Sequence, residues 1–331
     1  MIFGVNVGAA VIDGLREAFG VQGAYYALAA VGLNLQFGYA GLLNFGHVAS
    51  AITGAYGAAI VVNNGGSLWL GIVVGVLAAG LLGLLMGMPT LRLRADYLAI
   101  ATISVAEIVR VVINSSRTQD VTGGPIGITG VAADFYAINP IPEGRYGWGS
   151  LTYNQNPLFT MIVGWTLVAL ACLLVWSLAR SPWGRLLKAV REDEEATRAL
   201  GKNVFSMKLQ AFVIGSLIGG LAGIIFTFDG GFVKPDFFLA QTTFNWYLVV
   251  ILGGVATVLG PPLGAVVFWF SIAMFNGLLT QLIGSDGWWI IESTDTGAVR
   301  YVIVGVAIVL LLVFRPQGLL GNKEEARIGD H

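Results

Sequence analysis

The sequence has few charged residues. Lysine and arginine number 18 and aspartate and glutamate number 19 among 331 residues, so charged residues are 11% of the chain and hydrophobic residues 56%. Because a soluble domain carries about 25% charged residues, this chain lacks the polar surface that a soluble fold needs. No Asp, Glu, Lys or Arg occurs between Ala18 and Leu91, or between Phe237 and Ser285. The composition excludes a soluble globular protein.

Residues and motifs typical of catalytic or metal-binding sites are scarce as well. The chain has two histidines and a single cysteine, Cys172, in the middle of a hydrophobic run, so neither a disulfide nor a metal cluster is expected. The phosphate-loop motif GxxxxGK[ST] is absent, because Asn203 follows Gly201 and Lys202, and HExxH, CxxC and serine-elbow motifs are absent too. We therefore predict no metal, no cofactor and no enzymatic activity.

The sequence does contain a series of long charge-free hydrophobic runs. A helix needs about 20 residues to cross a ~30 Å hydrocarbon core, and the 46 glycines suit close helix packing in lipid. We predict an all-α polytopic membrane protein with about nine (8–10) transmembrane helices. The predicted spans are 21–38, 44–62, 67–88, 97–114, 157–179, 209–228, 239–257, 260–283 and 298–314.

Basic residues are distributed unevenly between the loops. Twelve of the 18 fall in the loops 89–96, 180–208 and 315–331, and six lie on the other side. Because cytoplasmic loops carry an excess of Lys and Arg, these loops and the C-terminus are predicted to be cytoplasmic. An odd number of spans then places the N-terminus outside.

The remaining segments complete the predicted organisation. Residues 1–20 are predicted to form an amphipathic helix in the membrane interface, and a tenth span broken by charges is the alternative. The transmembrane domain covers 21–321 and the cytoplasmic tail covers 322–331. The external loop 115–156, rich in Gly, Pro and Asn, is either a cap on the helix bundle or a docking surface for an external partner. The apolar face of the first helix is formed by Val11, Ile12, Leu15 and Phe19.

A transporter without a phosphate-loop motif of its own must take its energy from an ion gradient or from a partner ATPase, and the acidic residues inside the predicted spans bear on that choice. Glu107 is the only acid well inside a span, and it precedes Arg110 by three residues on the same helical face. A structural ion pair is therefore expected there, and a proton or sodium relay is the alternative. Since an ion-coupled carrier needs ionisable groups in the membrane, the pair favours energy supplied by a partner ATPase.

The predicted cytoplasmic loop 180–208 has the features of a docking element. It contains seven basic and four acidic residues. Asp193 is placed to cap a short helix that runs through Leu200, and Gly201 is placed to end it. A charged, solvated loop without a partner remains the alternative interpretation.

Five stretches resemble, in the same order, the permeases of branched-chain amino acid ABC importers of the LivM type. Together they span the chain from Gly32 to Gly321. The five stretches are GLNLQFGYAGLLNFGHVASAITGAY, LRLRADYLAIATISVAEIVRVV with TGGPIGI, SPWGRLLKAVREDEEATRALGKNVFSMKL, VVILGGVATVLGPPLGAVV and LVFRPQGLLG.

This resemblance implies a fold, partners and a function. Such permeases have two structural repeats, and two related permease subunits pair with two cytoplasmic ATP-binding subunits and an external solute-binding protein in a bacterial or archaeal plasma membrane. The chain would then carry branched-chain amino acids or a similar small polar solute inward. Relatives of the same architecture carry urea or short amides, and a passive channel or ion-coupled carrier remains the other alternative. The segment 192–203, which contains the element EATRALG (195–201), would engage the ATPase through Glu192, Glu195, Ala196, Gly201 and Asn203.

Two glycine-rich interruptions are predicted to form the solute path. Broken helices in both halves of a transporter are typical of its transport site. The first interruption contains Asn44, Gly46 and His47, and the second contains Gly260 and Pro261. Because polar groups are costly in lipid unless they face protein or water, Asn44 and His47 are candidates to line the path. The alternative for His47 is a hydrogen bond to a neighbouring helix.

Overall fold

A computed structural model describes residues 7–148, 151–283, 302, 305–306 and 317–321. The described part is mainly helical. Its α-helices are α1 (Val7–Phe19), α2 (Val21–Asn34), α3 (Val48–Asn63), α4 (Leu68–Thr90), α5 (Ala95–Ile113), α6 (Gln119–Thr122), α7 (Ala133–Ala137), α8 (Gln155–Arg180), α9 (Pro182–Glu192), α10 (Glu194–Ala199), α11 (Val204–Gly230), α12 (Ala240–Gly253) and α13 (Gly260–Ile283).

Four helices of the described residues are long and apolar enough to cross a membrane, namely α4, α8, α11 and α13. A fifth span results if α5 and the segment Ser116–Thr122, bent by 59° at a short break, are taken together. The predicted spans 21–38, 44–62 and 239–257 correspond to the shorter helices α2, α3 and α12. The predicted span 298–314 lies almost entirely outside the described residues. The helical membrane fold is confirmed, and the number of nine spans stays a prediction.

The centre of the bundle is formed by α2, which packs against α8, α11, α12 and α13. All but one of its residues are buried. Small residues allow the close approach: a Cβ atom on Gly32 would lie 2.7 Å from the carbonyl oxygen of Gly215, and one on Gly54 would lie 2.5 Å from that of Gly220. The abundance of glycine therefore has a packing cause, since helices in lipid associate through such contacts.

The segment between α5 and α8, predicted to be external, contains short strands and packs onto the bundle. Strand β1 (Ile128–Thr129) pairs antiparallel with β4 (Phe232–Val233), and β2 (Arg145–Trp148) pairs antiparallel with β3 (Leu151–Asn154). The ring of Phe135 is buried against that of Phe228, with 5.4 Å between the ring centroids. These contacts support the interpretation of this loop as a cap, while docking of an external partner stays a prediction.

Helix α1 packs along α13. The residues of α1 that the bundle buries are Ala10, Gly14 and Ala18, and a Cβ atom on Gly14 would lie 3.0 Å from the ring of Phe270. The face that contacts protein is thus the stripe of small residues, and the predicted apolar face of Val11, Ile12, Leu15 and Phe19 is only partly covered or exposed. The position of α1 in the membrane interface stays a prediction.

The close packing of α11 predicts that an added methyl group at Gly223 destabilises the protein. A Cβ atom on Gly223 would lie 2.0 Å from the carbonyl oxygen of Ala51 in α3, whereas one on Gly230 meets nothing closer than Phe232 at 3.7 Å. Gly223→Ala should therefore destabilise the protein by about 1–3 kcal/mol, as overpacking does. Thermal unfolding in detergent checks this, with Gly230→Ala on the same helix as the control. Equal melting temperatures for the two variants would contradict the packing.

Candidate coupling site and the interrupted helices

The first interruption begins where α2 passes into a π-helical turn, Leu35–Tyr39. Residues 40–47 then run without regular α-helix until α3 begins. Gly38 is required within this turn, because a Cβ atom there would lie 2.2 Å from Oδ1 of Asn34 and 2.7 Å from the backbone nitrogen of Ala256. Single π-helical turns occur mostly within α-helices and frequently at functional sites.

The second interruption separates α12 from α13. Among the described residues, Ala256 is the one non-glycine residue with a positive φ, 58°, a conformation that is uncommon for residues with a side chain. Pro261 and Pro262 lie in the first turn of α13. Backbone N–H groups in the first turn of a helix have no partner within it, so the lack of an N–H group in proline costs no hydrogen bond there. The prolines therefore begin a helix, and the interruption precedes them.

The two interruptions are in contact. Nδ2 of Asn34 donates a hydrogen bond to the carbonyl oxygen of Thr257 at 2.8 Å, and its Oδ1 accepts one from the backbone N–H of Ala256 at 3.0 Å. Asn34 is itself buried. Backbone groups that lose their helical partners must find others when they are buried, and Asn34 provides both a donor and an acceptor.

Residues 319–320, near the C-terminus, contact the end of α12 at the second interruption. The backbone N–H groups of Leu319 and Leu320 donate to the carbonyl oxygens of Leu252 and Gly253, each at 2.9 Å. The last carbonyls of a helix lack intrahelical donors, so this segment caps α12.

Asn44 joins the first interruption to α11 through a buried network. Its Nδ2 donates to Oε1 of Gln36 at 2.9 Å, and Nε2 of Gln36 donates to the carbonyl oxygen of Phe212 at 2.7 Å. Oδ1 of Asn44 accepts a hydrogen bond from the backbone N–H of Gly46 at 3.1 Å. A Cβ atom on Gly46 would lie 2.0 Å from the carbonyl oxygen of Thr102, so Gly46 contacts α5 closely.

His47 lies between α11 and α12. Its ring meets that of Trp246 edge to face, with 5.6 Å between centroids, and lies against Gly219. Asn44 is 1% exposed and His47 0%, so neither is accessible to a solute in this conformation. Within the described residues, neither ring nitrogen of His47 makes a hydrogen bond of normal geometry, although the backbone of Ala29 is close. Their place on a solute path stays a prediction.

The segment predicted to engage an ATPase forms two short helices, α9 and α10. Asp193 caps α10, since its Oδ1 accepts a hydrogen bond from the backbone N–H of Ala196 at 2.9 Å. Gly201 follows the helix with φ at +76°, and no described atom lies within 4 Å of where its Cβ would be. The capped helix and its terminating glycine are as the sequence predicts. Glu194 is held by ion pairs to Arg198, at 2.8 Å, and to Lys208.

All five residues predicted to contact the ATPase are exposed. They are Glu192, Glu195, Ala196, Gly201 and Asn203. Asn203 also accepts a hydrogen bond from the backbone N–H of Ser206 and so caps α11. Leu200, which sequence reasoning did not single out, is 79% exposed.

A basic cavity of about 840 Å³ adjoins α10. It is lined from one side by the short segment between α4 and α5 and from the other by α10 and the start of α11. The predicted cytoplasmic loops 89–96 and 180–208 thus meet at one face. The charged lining residues are Arg92, Arg94, Glu194, Glu195, Arg198, Lys202 and Lys208.

Glu107 and Arg110 form an ion pair on α5. The guanidinium of Arg110 donates to the Glu107 carboxylate through Nη2 at 2.5 Å and Nε at 3.0 Å, and it also contacts Asp236 at 3.4 Å. Asp236 lies in the segment between α11 and α12, so the pair ties α5 to that segment. In the described residues, no group of three or more His, Cys, Asp or Glu side chains is placed to hold a metal ion.

Comparison with known proteins finds similar permeases. The family model for the permease component of the branched-chain amino acid transport system matches residues 16–312. The high-affinity branched-chain amino acid transport system permease protein LivM of Escherichia coli is 31% identical, over 89% of this chain and 67% of that protein.

Two further relatives extend the comparison. A probable branched-chain amino acid transport permease protein LivM of Methanocaldococcus jannaschii is 26% identical over 91% of each chain. The LivH permease protein of the E. coli high-affinity system is 23% identical, over 92% of this chain and 94% of that protein. Since the family model covers most of the chain, the protein belongs to the permease component family of the branched-chain amino acid transport system.

Proposed function

We propose that this protein is a transmembrane permease subunit of an ATP-driven importer that carries branched-chain amino acids into the cell. Family membership over residues 16–312 is the observation that carries the proposal. The names of the E. coli and M. jannaschii relatives support the class of solute. The alternative solutes within the same architecture are urea and short amides.

The proposed assembly contains a second, homologous permease subunit, two cytoplasmic ATP-binding subunits and an external solute-binding protein. Two permease proteins of the E. coli high-affinity system, LivM and LivH, are both similar to this chain, which supports a pair of related permeases. The ATPase would dock on the exposed residues 192–203 and on the adjoining basic cavity. Charge complementarity there favours an acidic surface on the ATPase, since five of the seven charged lining residues are basic.

The proposed solute path includes the first interruption. His47 supports this proposal, because within the described residues its buried ring nitrogens have only the backbone of Ala29 nearby and no hydrogen bond of normal geometry. A buried polar group that lacks a good hydrogen bond costs about 1–3 kcal/mol and calls for an explanation. A conformation in which the interruption opens would give the imidazole a water or solute partner. Asn44, Gly46, Gly260 and Pro261 lie in or beside the two interruptions and would border the same opening.

We further propose that the C-terminus and the segment 180–208 are cytoplasmic in an inner membrane. The test uses two exposed glutamates, Glu195→Cys in α10 and Glu143→Cys in the external loop, each in intact cells. An impermeant thiol reagent should label position 143 and leave position 195 unlabelled, while Cys172 stays silent because it is buried. Labelling of position 195 from outside would reverse the orientation.

The function is tested by reconstitution. The permease, the second permease subunit, the ATPase and the binding protein are reconstituted in proteoliposomes, and ATP is supplied on the side of the membrane where the ATPase lies. Leucine, isoleucine or valine should accumulate with ATP hydrolysis, and urea and acetamide should not. Accumulation of urea or acetamide in place of the amino acids would assign a different solute. Solute equilibration that does not depend on ATP would instead indicate a passive channel.

A further inference from the structure

The end of α9 contacts the π-helical turn of the first interruption. Nη1 of Arg191 donates a hydrogen bond to the carbonyl oxygen of Gly38 at 2.5 Å. The stem of Arg191 lies against Gly41, where a Cβ atom would be 3.1 Å from its Cγ. One turn earlier, the ammonium of Lys188 lies 5.8 Å from the centroid of the Tyr39 ring. The contact between α9 and the interruption therefore involves several residues on each side.

The side chain of Arg191 is suited to a strong hydrogen bond with the Gly38 carbonyl. Carbonyls at the end of a helical segment lack donors from their own helix, and a guanidinium supplies a charge-assisted donor that stays ionised at any physiological pH. Arg191 is only partly exposed, whereas the next residue, Glu192, is exposed at the surface that we assign to the ATPase. The same short segment thus touches the docking surface and the interrupted helix.

The contact continues from the first interruption to the second. Gly38 packs on Asn34 and Ala256, and the side chain of Asn34 binds the backbone of Ala256 and Thr257. A displacement of α9 would act on Gly38 first and on residues 254–257 through Asn34. Residues 40–47 and 254–259 lie outside regular α-helix, so a shift there need not break the ladder of i to i−4 hydrogen bonds that holds an α-helix.

We propose that Arg191 is a positioning residue that transmits movement of the coupling segment to the π-helical turn and so to the solute path. This proposal rests on the proposed function, in which an ATPase moves that segment. Arg191 neither touches the solute nor hydrolyses ATP. Its removal should therefore separate ATP hydrolysis from transport, whereas a residue needed only for folding or docking would affect both together.

The experiment compares Arg191→Met with Arg185→Met in the complete complex with its ATPase and binding protein. Arg185 lies on the same helix and also donates to a backbone carbonyl, that of Arg180 at 3.3 Å, but it is exposed and away from the interruption. Arg191→Met should assemble normally, keep its ATPase activity, and lower the solute transported per ATP by about tenfold, within the usual range of coupling between sites. Arg185→Met should leave that ratio unchanged, and Arg191→Lys should restore part of it.

Each other result has a defined meaning. An unchanged ratio of solute to ATP in Arg191→Met would overturn the proposal. Failure of Arg191→Met to assemble, or an equal fall of hydrolysis and uptake, would overturn it too, because either result assigns Arg191 a structural role. Absence of ATP-dependent uptake in the wild-type complex would contradict the proposed function itself and is recognised before any variant is compared.

Discussion

Gly201→Arg is expected to abolish solute-stimulated ATP hydrolysis in the reconstituted complex while the permease remains inserted and folded. Gly201 ends α10 with φ at +76°, and its position is open among the described residues. No described atom lies within 4 Å of a Cβ at this position, so a side chain can begin there without a clash, and we expect its steric effect to come from a partner. A side chain in the left-handed conformation costs about 1–2 kcal/mol per residue, which is too little to unfold a domain of usual stability.

The matched control for this prediction is Gly201→Asn. Asparagine adopts the left-handed conformation more readily than other residues with a side chain and carries no charge. It should keep most of the stimulated hydrolysis. Hydrolysis is measured with and without solute-loaded binding protein, and insertion is checked by the yield of monodisperse permease. Full stimulation in Gly201→Arg would show that residues 192–203 do not seat in the ATPase.

His47→Phe is expected to reduce transport severalfold without weakening capture of solute by the binding protein. The substitution removes two buried nitrogens that lack hydrogen bonds of normal geometry in the described residues, so helix packing alone predicts unchanged or higher stability. A transport defect in a protein of equal or greater thermal stability would then require a role for the imidazole in another conformation. Uptake is measured beside solute affinity of the binding protein.

Asn44→Leu is expected to differ from His47→Phe in its effect on stability. It leaves Oε1 of Gln36 without the donor that Asn44 supplies, and a buried acceptor without a partner costs about 1–3 kcal/mol. This variant should lower both stability and transport. Unchanged transport in His47→Phe, together with parallel losses in Asn44→Leu, would leave helix packing as the whole explanation of this segment.

The sequence predicted the helical membrane class because hydrophobic runs and the lack of charge are local properties. It also predicted the capped helix α10, since Asp193, Arg198 and Gly201 each act within a few residues of their position. The two interruptions were likewise visible as clusters of glycine and proline. In each case the signal and its structural effect lie on the same short segment.

Contacts between distant segments were not visible in the sequence. Asn34 reaches residues 256–257 across more than 220 positions, and Arg191 reaches Gly38 across 153. An asparagine in a hydrophobic run or an arginine in a charged loop is ordinary in isolation. Only folding shows that both bind backbone groups left free by the interruptions. The burial of Asn44 and His47 was not predictable from the sequence for the same reason. The polarity of a side chain does not show whether it joins a hydrogen-bond network inside the protein or lines a solute path.

The claim that residues 192–203 form the ATPase contact is tested most directly by cross-linking. A benzophenone attached to Ala196→Cys, in a Cys172→Ala background, is photolysed in the assembled complex. Glu143→Cys, on the loop proposed to be external, is the control. We predict a product between the permease and the ATP-binding subunit from position 196, and none from position 143. A complex that imports solute with ATP but gives no such product from position 196 would contradict the account.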